Sequence, residues 1–164
     1  MSAVDAVLLP GFVGTTLPAW VADRLRHGLA GVCLYGENVE SPDQVTALVA
    51  QIRAIKPDAL VAIDEEGGDV TRLHYVDGSP YPGAALLGRI DDPELTAMVG
   101  GAVAGDLAGA GVDLNLAPVA DVNSDPRNPV LGVRSLGHVP PLAARHGSAM
   151  LAPNGGAGIV TQAS

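Results

Sequence analysis

Residues 60–73 read LVAIDEEGGDVTRL. Leu60, Val61, Ala62 and Ile63 suit a buried strand, and they run straight into Asp64, Glu65 and Glu66. Adjacent carboxylates repel one another, and ending a core strand on three of them gives up burial. The bland reading is a solvated turn, with Gly67 and Gly68 supplying positive φ. A core strand that ends on three acids and a double glycine is less typical of such turns, so a functional reading is preferred. What surrounds the stretch decides the fold. Gly31–Tyr35 (GVCLY) and Asp113–Val122 are further strand candidates, and Ala6–Leu9 is a short one ending at Pro10-Gly11.

Between the strands the pattern turns helical. Pro18 is expected to start a helix over Trp20–His27 that Gly28 stops. Ser41-Pro42-Asp43 is an N-cap followed by proline at the first helical position. Val45, Leu48, Val49 and Ile52 then follow at helical spacing until Pro57. Asp91–Glu94 opens another helix, running to Gly109. Leu142–Leu151 is a fourth, and Ile159-Val160 begins a fifth strand candidate. Strands alternating with helices imply parallel pairing and an α/β fold. Polar residues collect where strands end: Glu37-Asn38, Asp64–Glu66 and Asp121–Asn123. In parallel α/β folds that end carries the ligand site, which gives the carboxylates a purpose.

The chain has 164 residues, 48% of them hydrophobic, enough for one domain with a core. Its formal charge of -9 and its few aromatics leave neither a basic stripe nor a stacking platform for nucleic acid. The single cysteine, Cys33, has no intramolecular partner, so nothing demands an oxidising compartment. The start MSAVDAVLLPGF lacks a basic n-region and its apolar run is cut by Pro10. It reads as neither a signal peptide nor a membrane span, and the expected location is cytoplasmic.

Two rival chemistries were weighed. Asp64, Glu66, Asp69, Asp121 and Asp125 are oxygen ligands of the kind magnesium or calcium takes, but no DxDxDG-like loop organises them. A phosphate loop fits worse, because Gly67-Gly68 lies among acids and Gly100–Gly105 falls mid-helix. His27, His74, His138 and His146 show no ligand spacing. Arg134, in VLGVRSLG, has apolar, glycine-rich flanks that suit a guanidinium held against a polar ligand.

The segments VAIDEEGGDVTRL, GVDLNLAPVADVN and NPVLGVRSLG, in this order and at these separations, resemble the N-terminal catalytic domain of glycoside hydrolase family 3. They look closest to its β-N-acetylhexosaminidase branch, since the β-glucosidases of the family usually lack the EGGxVxR continuation. The opening LLPGF…GLAGVCLYGENVES is similar to the start of the same domain. The resemblance implies that Asp64 binds sugar hydroxyls beside the cleaved bond. It also implies that Arg134 contacts the sugar and that Arg72 shapes the pocket. Carboxylates and guanidiniums make the charge-assisted hydrogen bonds such hydroxyls favour.

The implied reaction is retaining hydrolysis of a terminal β-linked N-acetylhexosamine through a covalent intermediate, without cofactor or metal. A muropeptide or a chitin oligomer is the expected substrate class. Three departures stand out. The family commonly has Gln at Glu65 and often Arg at Asp69, so this chain adds negative charge beside Asp64. Its Lys-His-Phe-Pro-Gly-like motif would begin near Ser164, and the only lysine here is Lys56. The loop His–Asp acid/base and the Asp nucleophile of the family come later still, and no Asp or Glu follows Asp125.

A complete (β/α)8 barrel takes roughly 250 residues. Residues 1–164 are therefore expected to be its N-terminal part, about five βα units. No catalytic residue is expected in this chain, which is expected to be inactive alone. The alternatives are a non-enzymatic sugar-binding remnant, a metal-dependent barrel enzyme, or a β-glucosidase of the same family. An open barrel leaves two sheet edges and an uncovered inner face. The apolar residues of Gly31–Tyr35 and Leu60–Ile63 are thus expected to meet water or another chain, favouring self-association.

Overall fold

The structure is a computed structural model and describes residues 4–153, 156 and 158–161. Among the described residues four parallel strands, β1 (Gly31–Leu34), β2 (Leu60–Ile63), β3 (Leu114–Asn115) and β4 (Val160–Thr161), form one sheet in sequence order. Helix α1 (Ala19–Arg26) precedes β1, and α2 (Pro42–Ile55) connects β1 to β2. Helices α3 (Ala84–Ile90) and α4 (Pro93–Ala110) connect β2 to β3, and α5 (Pro140–Leu151) connects β3 to β4. This is the α/β pattern of a barrel's N-terminal part, with helices following strands in turn.

Local chemistry explains most boundaries. Ser41 Oγ accepts the Gln44 N–H at 3.2 Å and Pro42 opens α2; the Asp92 carboxylate accepts the Glu94 and Leu95 N–H groups and Pro93 opens α4. The first of these caps, and the helix it starts, fall where the sequence places them. The run Gly100–Gly105 lies inside α4.

The strands alternate between two environments. Val32, Leu34, Val61 and Ile63 pack with Val21 and Leu25 of α1, Val45, Leu48 and Ile52 of α2, and Val103 and Leu107 of α4. Cys33 and Ala62 are also buried but lie outside that helix-facing cluster, on the sheet's other face. All of Gly31–Leu34 and Val61–Ile63 is buried. The expected uncovered inner face is therefore corrected: in these two stretches only Leu60 and Tyr35 are exposed, at 44% and 41%.

Three strand expectations also change. Ala6–Leu9 is not a strand: Asp5–Val7 form a 3₁₀ turn and Val7 is 77% exposed. The segment still runs beside β1, where the Ala30 N–H donates to Asp5 O at 2.9 Å and the Cys33 N–H to Pro10 O at 3.1 Å. Pro10 has no N–H to return, so no ladder develops. The fourth candidate, Asp113–Val122, shortens to β3. The Leu116 N–H still donates to Ile63 O at 2.8 Å, but Pro118 follows and cannot extend the pairing. The last candidate begins one residue late, as β4; Ser164, expected near the family lysine, lies outside the described residues. Helix α3 was absent from the sequence reading.

Candidate functional site

The three acids after β2 turn out to have three different fates. Asp64 leaves the strand in continuation of Ala62, on the inner side, and is about a quarter exposed. Arg72 Nη2 approaches its Oδ2 at 3.7 Å, and the arginine is equally exposed. The turn that brings Arg72 back is built on Gly67 and Gly68, both at positive φ (78° and 61°).

Glu65 points the other way and is only 3% exposed. Its Oε2 accepts the backbone N–H groups of Arg72 and Leu73 at 2.7 and 2.8 Å, so it fixes the segment that carries Arg72. Its own backbone is locked to β3: the Glu65 N–H donates to Asn115 Oδ1, and Asn115 Nδ2 donates to Glu65 O, both at 3.0 Å. Backbone donors thus take up Glu65 Oε2, while its Oε1 is buried without a hydrogen-bond partner, and Asp69 is exposed.

Glu66 is also buried, with its side chain 7% exposed, and its partner is Arg134. Arg134 Nε reaches both carboxylate oxygens at 3.2 and 3.0 Å, and Nη2 donates to Oε1 at 2.6 Å. This hydrogen bonding, foremost, raises the Arg134 pKa further; the charges of Glu66, Asp64 and Asp121 act in the same direction. Arg134 therefore feels the Asp64 carboxylate from a loop 70 residues later in the sequence. The loop itself is held by Ser135, whose Oγ lies 2.8 Å from both the Asp121 and the Gly137 carbonyl, with one proton to donate between them, and accepts the Asn123 N–H at 3.2 Å.

Asp64, Arg72 and Arg134 thus come from two loops at the carboxyl ends of the strands. Glu65 and Asn115 were missed as the parts that hold the pocket together. The only hint of Asn115 in the sequence is a polar residue on a strand candidate, DLNL. Tyr81, further along the β2 loop, donates its hydroxyl to Asp106 Oδ2 of α4 at 2.6 Å, and His74 Nε2 lies 3.3 Å from the same oxygen. Burial first, then this bond, pushes the Tyr81 pKa up to about 12.

The rival donors do not gather. Asp125 is engaged by Arg127, which holds its carboxyl below the usual range, and among the described residues no group of three or more His, Cys, Asp or Glu is placed to hold a metal ion. A groove of about 870 Å³ lies outside the trio, between α3 and the 132–138 segment, and Asp69, Arg89, Asn123 and His138 are among its lining residues.

Carboxylates and arginines at the strand ends of a parallel α/β half-barrel lie where this class of fold carries its ligand site. Residues 15–163 match the glycosyl hydrolase family 3 N terminal domain, and the chain belongs to that family. It is 37% identical over 131 residues to a beta-hexosaminidase of Methylococcus capsulatus, covering 78% of this chain and 39% of the relative. It is also 37% identical over 132 residues to a beta-hexosaminidase of Pseudomonas aeruginosa, covering 80% of this chain and 40% of that one.

Among solved structures, the family 3 beta-N-acetylglucosaminidase from Paenibacillus sp. superposes with a TM-score of 0.90 at 30% identity, over 98% of this chain and 32% of that one. NagZ from Neisseria gonorrhoeae, solved in complex with N-trifluoroacetyl-D-glucosamine, gives 0.85 at 27% identity, over 96% of this chain and 48% of that one. The chain therefore spans less than half the length of each of these four relatives.

Proposed function

We propose that this chain supplies the sugar-gripping strand ends of a retaining β-N-acetylhexosaminidase, with Asp64 and Arg134 binding sugar hydroxyls and Arg72 shaping the pocket around Asp64. The observation that supports the reading is the Asp64–Arg72 approach of 3.7 Å just after β2, together with the pairing of Arg134 with Glu66, two residues after Asp64. A carboxylate offers paired acceptors and a guanidinium a rigid fork of donors, which together match vicinal hydroxyls. The substrate class is a muropeptide fragment or a chitin oligomer.

Retaining hydrolysis needs a nucleophile and an acid set across the bond, about 5 Å apart when both are carboxylates. Within the 164 residues, the carboxylates nearest the mouth already have partners in Arg72 and Arg134, a binding rather than a bond-cleaving arrangement. The chain alone is thus proposed to bind sugar without turning it over. A cytoplasmic setting belongs to the same proposal and is checked by cell fractionation. So does association through the sheet edges, where Val160 is 64% exposed; sedimentation velocity checks it.

The test is binding of N-acetylglucosamine to the 164-residue chain, followed by NMR titration, alongside hydrolysis of a chromogenic N-acetylglucosaminide. Saturable binding is expected, weakened at least about tenfold in Asp64→Ala, as for loss of a charged hydrogen-bond partner. Turnover is expected at background. Tight binding by Asp64→Ala overturns the pocket assignment, and robust turnover by the chain places the catalytic pair among its own carboxylates.

A further inference from the structure

One side chain at the mouth has no part in that reading. Tyr35 directly follows β1, as Asp64 follows β2. The strands are in register with Leu34 opposite Ile63, so Tyr35 and Asp64 are the next positions of the two strands. Neighbouring positions of parallel strands point to one side of the sheet. Here that side is the one taken by Cys33 and Ala62, away from the helix-facing cluster of Val32, Leu34, Val61 and Ile63.

The ring is both exposed and held. Tyr35 is 41% exposed, while Cys33, two residues before it on the same side of the sheet, is buried. Its backbone N–H donates to Asn38 Oδ1 at 2.8 Å, and the fully buried Asn38 donates from Nδ2 to the Phe12 and Gly14 carbonyls at 2.8 Å each. The segment around Phe12 is thereby tied beside the ring, and Gly11 allows a close approach: a Cβ there would lie 2.8 Å from Tyr35 Cε2, so the ring would have to shift. The Tyr35 pKa is raised first by the Cys33 hydrogen bond, with Asp64 adding and Arg72 opposing, so the ring stands within the field of that pair. What the exposed ring offers a ligand is flat carbon surface.

We propose that Tyr35 is a specificity-determining residue: its ring is the apolar wall against which the C–H face of a pyranose packs while Asp64 and Arg72 take the hydroxyl rim. The proposal rests on the sugar-site reading above. With the face that carries H2 and H4 against the ring, it selects sugars whose 4-hydroxyl is equatorial, because an axial 4-hydroxyl stands on that face.

The test uses the 164-residue chain with N-acetylglucosamine and N-acetylgalactosamine as probes, measured by NMR titration for wild type, Tyr35→Phe, Tyr35→Leu and Asp64→Ala. Tyr35→Phe is expected within about twofold of wild type for N-acetylglucosamine, and Tyr35→Leu about tenfold weaker, with discrimination against the axial epimer reduced. Ring protons of bound N-acetylglucosamine are expected upfield in wild type and Tyr35→Phe and unshifted in Tyr35→Leu. If Tyr35→Leu does not fold, the upfield shift in wild type, present or absent, decides alone. Equal affinities for wild type and Tyr35→Leu, or no upfield shift, overturn the proposal while a loss in Asp64→Ala leaves the sugar site standing. No saturable binding by wild type overturns both.

Discussion

The Arg134–Glu66 pair makes a sharp prediction because its two halves are unequally buried. Glu66 has 7% of its side chain exposed and Arg134 33%. Removing the arginine strands a carboxylate that three hydrogen bonds from Arg134 had satisfied and that water reaches poorly. Breaking a buried pair from one side costs about 3–5 kcal/mol. The partial exposure of Arg134 brings the expectation for Arg134→Met down to ~2–4 kcal/mol of unfolding free energy. Removing the carboxylate instead frees a guanidinium that is already one-third in solvent and swings out on a flexible stem, so Glu66→Leu should cost only about 1 kcal/mol. The double variant, with both charges gone, should be more stable than Arg134→Met alone, a coupling of at least ~1 kcal/mol. Urea unfolding followed by far-UV circular dichroism measures all four proteins, provided the transitions share one slope. If Glu66→Leu costs as much as Arg134→Met, or if the two losses add without coupling, then burial does not set the balance of this pair and the reasoning fails.

Asn115→Ala removes both reciprocal bonds to Glu65 and leaves a buried N–H and C=O unpaired, so about 2–3 kcal/mol is expected to be lost by the same unfolding assay. Gly31→Ala would place a Cβ 1.8 Å from Leu60 O across the β1–β2 ladder; about 3 kcal/mol or more is expected, read as a lowered urea midpoint. With Tyr81 pushed up to about 12, its neutral form is the one the fold favours. Stability from this group is fully present below the unfolded value of 10 and is lost as pH rises through about 12. Absorbance titration of phenolate should show a late-ionising tyrosine that Tyr81→Phe removes.

What the sequence disclosed depended on how far apart the deciding residues lie. Helix α2 is legible to its first residue because its start signal, Ser41 and Pro42, sits within one turn of what it caps. Strand β2 is legible because Leu60–Ile63 is bounded by the residues that end it. Helix α3 has neither advantage: it is seven residues long, its N-cap Gly83 has no side chain to offer, and Leu87 is buried by Leu136 and Met150 from far along the chain. Ala6–Leu9 misleads for the opposite reason, since an apolar run beside Pro10 has the composition of a strand without the donors for a ladder. The acids show the limit most clearly. Asp64, Glu65 and Glu66 are consecutive and chemically alike, and repulsion alone would send all three to water. They separate because two glycine residues turn the chain so that Glu65 faces the N–H groups of Arg72 and Leu73, while Glu66 meets a guanidinium from 68 positions later. With Glu65 and Glu66 each occupied, Asp64 is the one acid of the three left at the mouth with a single long contact, to Arg72 at 3.7 Å, among the interactions described. The clustering that flagged the site is therefore mostly scaffold: two of the acids hold the loops in place, and the third, Asp64, is the one we propose meets a ligand.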